Sequence, residues 1–172
     1  DNELQKICRH LPYALRSSTD LVQDLQLLNN IPSNAKFFTC DATAMYTNIR
    51  TSHALQVIAD SLNSSPIPLQ EGINTAALIA AIKIIMEHNL FRFGDTYWIQ
   101  LSGTAMGTPP APMYATLYFA IHEATLIPAF AEELSFYRRF IDDGFGIWIP
   151  NANPNIDASR WSNFQDAFSS YG

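Results

Sequence analysis

Three aspartates stand where carboxylates could do chemistry. Asp142 and Asp143 are adjacent in Phe140-Ile141-Asp142-Asp143-Gly144-Phe145, and Asp41 closes the apolar run Lys36-Phe37-Phe38-Thr39-Cys40. Two carboxylates about 4 Å apart repel by roughly 4 kcal/mol at a surface-like effective dielectric, and a divalent cation turns that repulsion into attraction. Each feature also has a plain structural reading. An Asp-Asp-Gly turn can be a solvated hairpin bend, and a strand-terminal Asp can cap the segment that follows. Taken together, a carboxylate at a strand end and a pair at a bend can converge on one sheet edge. Hard oxygen donors of this kind suit magnesium, and two ions roughly 3.5 to 4 Å apart serve phosphoryl transfer. Sharing them requires the Asp41 and Asp142 carboxylates to lie within about 8 Å of each other. The acids alone also admit a metal-dependent phosphohydrolase.

Flanking patterns predict the elements that must position these groups. A helix from Ser18 to Asn30 carries Leu21, Leu25, Leu27 and Leu28 behind a Ser-Ser-Thr-Asp start, and the Asn29-Asn30-Ile31-Pro32 break ends it. Lys36 to Cys40 reads as a short buried strand that delivers Asp41 at its end. Helices follow over Thr51–Ser61 and from about Asn74, separated by a turn-rich loop over 63–68. Asn89 to Gln100 reads as a hairpin bent at Gly94-Asp95. The Gly- and Pro-dense stretch from Gly103 to Pro112 is a rigid loop feeding a helix over Met113–Leu126. Phe136 to Ile149 should form two antiparallel strands with the acidic pair at their bend, and Ser159–Ser169 a closing helix. The expected class is α+β, in one globular unit.

Composition limits the function classes. The 172 residues are 48% hydrophobic, enough for one sizeable core and unlike a disordered chain. Ten Lys and Arg against sixteen Asp and Glu give a charge of −6, the wrong sign for a free-standing module that grips phosphates. Cys8 and Cys40 are too few for a disulfide framework, and Cys40 lies in an apolar run, which suggests a buried reduced thiol and an intracellular setting. The most apolar stretch, Ile73 to Leu90, is broken by Lys83, Glu87 and His88, and no signal peptide is evident, so a soluble protein without a membrane partner is expected. His10, His53, His88 and His122 show no ligand spacing.

Three segments occur in an order that resembles reverse transcriptase motifs A, B and C: Phe37 to Ile49, Gly103 to Ala115, and Tyr137 to Asp143. Tyr46-Thr47-Asn48-Ile49, Gly103-Thr104-Ala105-Met106-Gly107-Thr108 and Arg139-Phe140-Ile141-Asp142-Asp143 are similar to the Penelope-like retroelement enzymes. The resemblance implies a polymerase palm, an antiparallel sheet packed on helices. It further implies RNA-directed DNA synthesis on an RNA template and a DNA primer from deoxynucleoside triphosphates. Asp41 and Asp142 would be the principal ligands of two Mg2+ ions, with Mn2+ an acceptable substitute. The Ala42 carbonyl would contribute, and Asp143 would be accessory.

Tyr46 matches the family's aromatic gate, a ring that stacks under the incoming sugar and leaves no room for a 2′-hydroxyl; it is otherwise a core aromatic. Met106 and Gly107 match the nucleotide-facing loop of motif B, with Met106 where many reverse transcriptases have Gln. Thr108 and Pro109 continue that loop toward template. Arg139 lies where the family's strand runs near the primer; Arg138 and Arg139 are otherwise exposed strand charges. The resemblance places the basic fingers motifs before residue 1, and the primer grip and thumb beyond residue 172. Residues 1–172 thus read as a partial reverse transcriptase domain, nuclear if its parent retroelement is eukaryotic. A truncated or domesticated, inactive palm serving nucleic-acid binding or structure is the other reading.

Overall fold

Tyr137, Trp148 and Phe164 mark a hydrophobic core in a computed structural model that describes residues 1–64 and 69–171. The predicted loop over 63–68 is therefore only partly described: Asn63 and Ser64 belong to a helix, and the rest lies outside the described residues. The elements are α1 (Asn2–Cys8), α2 (Ser18–Gln26), β1 (Lys36–Asp41), α3 (Met45–Asn48), α4 (Thr51–Ser64), α5 (Thr75–Glu87), β2 (Leu90–Phe93), β3 (Thr96–Ile99), α6 (Ala111–Ala129), β4 (Leu134–Phe140), β5 (Asp143–Trp148) and α7 (Pro154–Ser169). The class is α+β, with small antiparallel sheets and seven helices among the described residues. Where one globular unit was expected, the chain forms two compact units. None of the described helices is long and apolar enough to cross a membrane.

One unit comprises residues 12–43 and 122–171. Its sheet has the order β1-β5-β4, antiparallel throughout, with Lys36 opposite Trp148 and Asp41 opposite Asp143. Phe140 faces Asp143 on the other side, and the register shifts by a bulge between Leu134 and Phe136. Successive side chains alternate between faces. Phe38 and Cys40 point to the packed face, opposite Gly146 and Gly144, where a Cβ would collide with the Phe38 ring and the Cys40 sulfur respectively. The Phe38 ring meets Trp161 and Phe164 of α7 edge-on, with centroids at 5.1 and 5.7 Å. Around them Leu126, Ile127, Phe130, Leu134, Tyr137 and Trp148 complete the core. Truncating Phe164 to Ala would cost about 3–5 kcal/mol. Asn153 caps α7 by accepting from the Asn155 N–H at 3.0 Å, with Pro154 at the first turn, so α7 starts five residues before the predicted Ser159.

β1 is not the buried strand its bulky residues suggest. It is an edge strand, with Phe37 64% exposed, and Phe37, Thr39 and Asp41 share the open face. A run of large side chains does not distinguish a strand covered on both faces from one covered on a single face. The outer edge of β4 is closed instead: the Arg139 N–H donates to the Tyr13 carbonyl at 2.8 Å, and the Leu15 N–H to the Arg139 carbonyl at 2.7 Å. α2 ends at Gln26, short of the predicted Asn30, and Leu27 is left 75% exposed.

The other unit comprises residues 1–11 and 44–121. Ala54, Leu55, Ile58 and Leu62 of α4 and Ile82 and Met86 of α5 are buried with Leu4 and Ile7 of α1. The Asn74 side chain caps α5, accepting from the Ala77 N–H at 2.8 Å, at the predicted start. The hairpin β2–β3 turns at Gly94 (φ +61), as predicted, with Leu90 opposite Ile99. Two helices had no sequence forecast: α1, and the single turn α3, which opens with Ala44 in the left-handed region (φ 51) and buries Met45. α6 begins at Ala111, two residues ahead of the predicted Met113, and continues past Leu126 to Ala129.

Candidate active site

The register of β1 and the β4–β5 hairpin determines where the three aspartates fall. Asp41 is the last residue of β1 and pairs across the ladder with Asp143, the first residue of β5. Asp142 occupies the two-residue turn before it, and the Ala42 N–H donates to the Asp142 carbonyl at 3.0 Å. The structure thus brings Asp41, Ala42, Asp142 and Asp143 to one corner of the sheet, with Asp143 rather than Asp142 directly opposite Asp41. Asp41 and Asp143 are exposed; Ala42 and Asp142 are half-buried. Like charges directly opposite destabilise a ladder.

The turn itself is strained. Ile141 has φ 55, and a β-branched residue there is an outlier costing roughly 1–2 kcal/mol. Two-residue hairpin turns demand such a conformation because it matches the strand twist, and Gly or Asn usually supplies it. Here the Ile141 carbonyl accepts from Arg139 Nη1 at 2.5 Å.

This contact corrects the expectation for Arg139. Adjacent strand residues point to opposite faces, so only Arg138 stands on the open face, where it pairs with Asp24 at 2.6 Å and lies 5.0 Å over the Phe136 ring. Arg139 points inward, 2% exposed, with Nε and Nη2 on the two Glu123 oxygens at 2.5 and 3.1 Å. The Tyr137 hydroxyl donates to the same carboxylate at 2.9 Å, and burial foremost raises its pKa above the ordinary value of 10.0. Buried, Arg139 is not available to a primer backbone. Glu123 was not foreseen, and no local pattern announces it: its partner lies sixteen residues on in another element. Cys40, a free and partly buried thiol beside this cluster, is pushed up to about 11, mainly by burial.

Carboxylates and a backbone carbonyl are the donor chemistry magnesium takes. Among the described residues no group of three or more His, Cys, Asp or Glu side chains gathers to hold a metal. Magnesium is usually held by one or two carboxylates together with substrate phosphates and water rather than by an all-protein cage, so the donor set fits the ion.

Tyr46 and the 103–112 loop form a second locus, within the other unit. A cavity of about 470 Å³ is lined by Tyr46, Met106, Gly107, Thr108, Pro109 and Pro112, so the structure gathers every sequence-predicted residue of the nucleotide and template loop. The Thr104 N–H donates to the Tyr46 carbonyl at 2.6 Å. Gly103 (φ +81) makes that approach feasible, because a Cβ there would lie 2.8 Å from the Tyr46 carbonyl oxygen and 2.9 Å from the Thr47 Cα. The loop is held from below by the Ala105 N–H on the Met86 sulfur at 3.4 Å and by the Thr108 hydroxyl on the Ala105 carbonyl at 2.7 Å. Gly107 (φ +86) faces open space, and Met106 is 54% exposed. The positive φ of Gly103 and its close backbone approach give this motif residue its role.

His53 and His122 make structural contacts. His53 Nδ1 lies 2.9 Å from the Tyr118 hydroxyl, and His122 Nε2 3.0 Å from the Ala167 carbonyl.

No family model and no curated protein matches the sequence. Solved structures do match by fold. The apo telomerase of Candida tropicalis, truncated from its C-terminal domain, superposes with a TM-score of 0.67 at 12% identity over 98% of this chain and 37% of the telomerase chain. Telomerase from Candida albicans, in complex with a fragment of telomeric RNA, gives a TM-score of 0.68 at 10% identity over 99% of this chain and 32% of its own. The chain spans about a third of the length of these telomerase chains. At such identities the likeness is one of fold: the chain has a reverse-transcriptase-like fold.

Proposed function

We propose that this chain is the catalytic palm of an RNA-directed DNA polymerase, working within a longer polypeptide. The observation that supports it best is the convergence of Asp41, Ala42, Asp142 and Asp143 at one sheet corner on a reverse-transcriptase-like fold. The sequence motifs add that the parent is a Penelope-like retroelement enzyme. RNA as template is in keeping with the telomeric RNA in the complex of the Candida albicans neighbour.

In this reading the primer 3′-hydroxyl attacks the α-phosphate of a deoxynucleoside triphosphate; the new oxygen–phosphorus bond forms as the bond to pyrophosphate breaks. Asp41 and Asp142 would hold two magnesium ions with the Ala42 carbonyl, and Asp143 would assist; bound there, the ions would supply positive charge for the attacking and leaving oxygens. The Tyr46 ring packs under the sugar and excludes a 2′-hydroxyl, and Met106 and Gly107 line the nucleotide pocket. Thr108 and Pro109 face the template. Polymerisation is tested by extending a DNA primer on an RNA template with the full-length polypeptide that carries this chain. Template-dependent extension is expected; a soluble, folded enzyme that adds nothing on RNA or DNA contradicts it.

An inactive palm module for nucleic-acid binding or structure would instead retain RNA binding and show no extension.

A further inference from the structure

Ile141 adopts a backbone conformation that β-branched residues avoid, and such strain persists only where the surroundings over-determine it. Two donors do so here. Arg139 Nη1 donates to the Ile141 carbonyl at 2.5 Å, and the Ala42 N–H donates to the neighbouring Asp142 carbonyl at 3.0 Å. Arg139 is in turn immobilised through its other nitrogens by Glu123 of α6, 1% exposed, on which the Tyr137 hydroxyl also rests. A guanidinium is planar and rigid, so two of its edges bound to Glu123 orient the third.

We propose that Glu123 and Arg139 are positioning residues for the acidic turn: the buried pair locks Ile141 in its left-handed conformation and thereby sets the direction of Asp142. The pair touches no reacting group. The inference rests on the polymerase reading only for the purpose of Asp142, and the locking of the turn is separable from it.

The buried ion pair could instead serve packing alone. The two accounts differ in what a conservative change does. Lys at 139 keeps a cation for Glu123 but cannot bridge two acceptors with a fixed fork. If Arg139 locks the turn, Arg139→Lys loosens the Ala42–Asp142 contact while the rest of the sheet stays closed. Glycine adopts positive φ without strain, so with Ile141→Gly the turn no longer needs the lock.

The experiment is amide hydrogen exchange on the whole chain, comparing Ala42 with the β5 amides from Phe145 to Trp148. Arg139→Lys should speed exchange at Ala42 by about tenfold or more relative to those amides, and adding Ile141→Gly should restore it. If Arg139→Lys fails to fold, Glu123→Gln, which keeps shape and one acceptor, is judged by the same comparison. Unchanged Ala42 exchange, equal acceleration of Ala42 and β5, or no restoration by Ile141→Gly overturns the proposal. No step needs catalysis, so the result stands whether or not primer extension succeeds. With an active full-length enzyme, Arg139→Lys should lower kcat with little change in KM for the nucleotide, because the gate residues lie on other elements.

Discussion

Asp41 and Asp143 are cross-strand partners at the last rung of the β1–β5 ladder, so two carboxylates face each other on an exposed corner of the sheet. Opposed like charges disfavour the ladder, and removing one should help the chain fold when no metal is present. Asp143→Asn is expected to raise stability by about 0.2–1 kcal/mol in chelator-treated buffer. Added Mg2+ or Mn2+ should raise the wild-type melting temperature and move the variant less, since binding to the folded state alone stabilises it. Thermal melts with and without metal check both halves.

Tyr46 lines the loop cavity beside Met106 and Gly107. If its ring is what excludes a 2′-hydroxyl, Tyr46→Ala should lose discrimination of the size a shaped pocket provides, about 10- to 200-fold. The ratio of kcat/KM for a deoxynucleotide over the matching ribonucleotide, measured in the full-length enzyme, reports it. An unchanged ratio removes Tyr46 from sugar selection.

Gly103 combines a positive φ with backbone against its α-carbon. Gly103→Ala therefore adds conformational strain to a clash that only backbone movement can relieve, an expected loss of about 2–4 kcal/mol. Chemical denaturation measures it. The same variant should raise the KM for nucleotide, because the Tyr46 carbonyl is tied to Thr104.

Asp157 accepts from Trp148 Nε1 at 2.9 Å and the Asn151 N–H at 3.1 Å, with Lys36 at 3.8 Å. The Trp148 hydrogen bond foremost holds its carboxyl below the ordinary value of 3.8, and the Arg160 hydrogen bond likewise holds Glu133 below 4.5. Both groups bind protons more weakly folded than unfolded. Their stabilisation is thus present above these ordinary values and is lost as pH falls through the lower folded-state values. Melting temperature should drop as pH is taken below about 4, and Asp157→Asn should flatten that drop. An identical pH profile for the variant contradicts the assignment.

Much of the site was legible because it depends on local chemistry. A strand ending in Asp41 and a Gly- and Pro-rich loop before a helix are written in short windows and have their counterparts in the structure, and the predicted hairpin forms with its bend one residue earlier than the acidic pair, at Ile141-Asp142. The Asn74 cap and the Gly94 turn are local in the same sense. What stayed hidden depends on partners distant in sequence. Phe37 and Phe38 look alike in the chain, yet only Phe38 meets α7, because adjacent side chains point to opposite faces and Phe37 falls on the open one. Arg138 and Arg139 look equally exposed until strand register turns one toward Glu123. α1 and α3 are too short for a periodic pattern to mark them.

In the proposed reading Asp41 and Asp142 carry a polymerase reaction. Primer extension on an RNA template by the full-length polypeptide, comparing wild type with Asp142→Asn, tests it most directly, with circular dichroism confirming that both are folded. A loss of extension on the order of 10²–10³-fold or more is predicted, as removal of a group that stabilises transition-state charge requires. Equal extension by the two proteins would contradict the account.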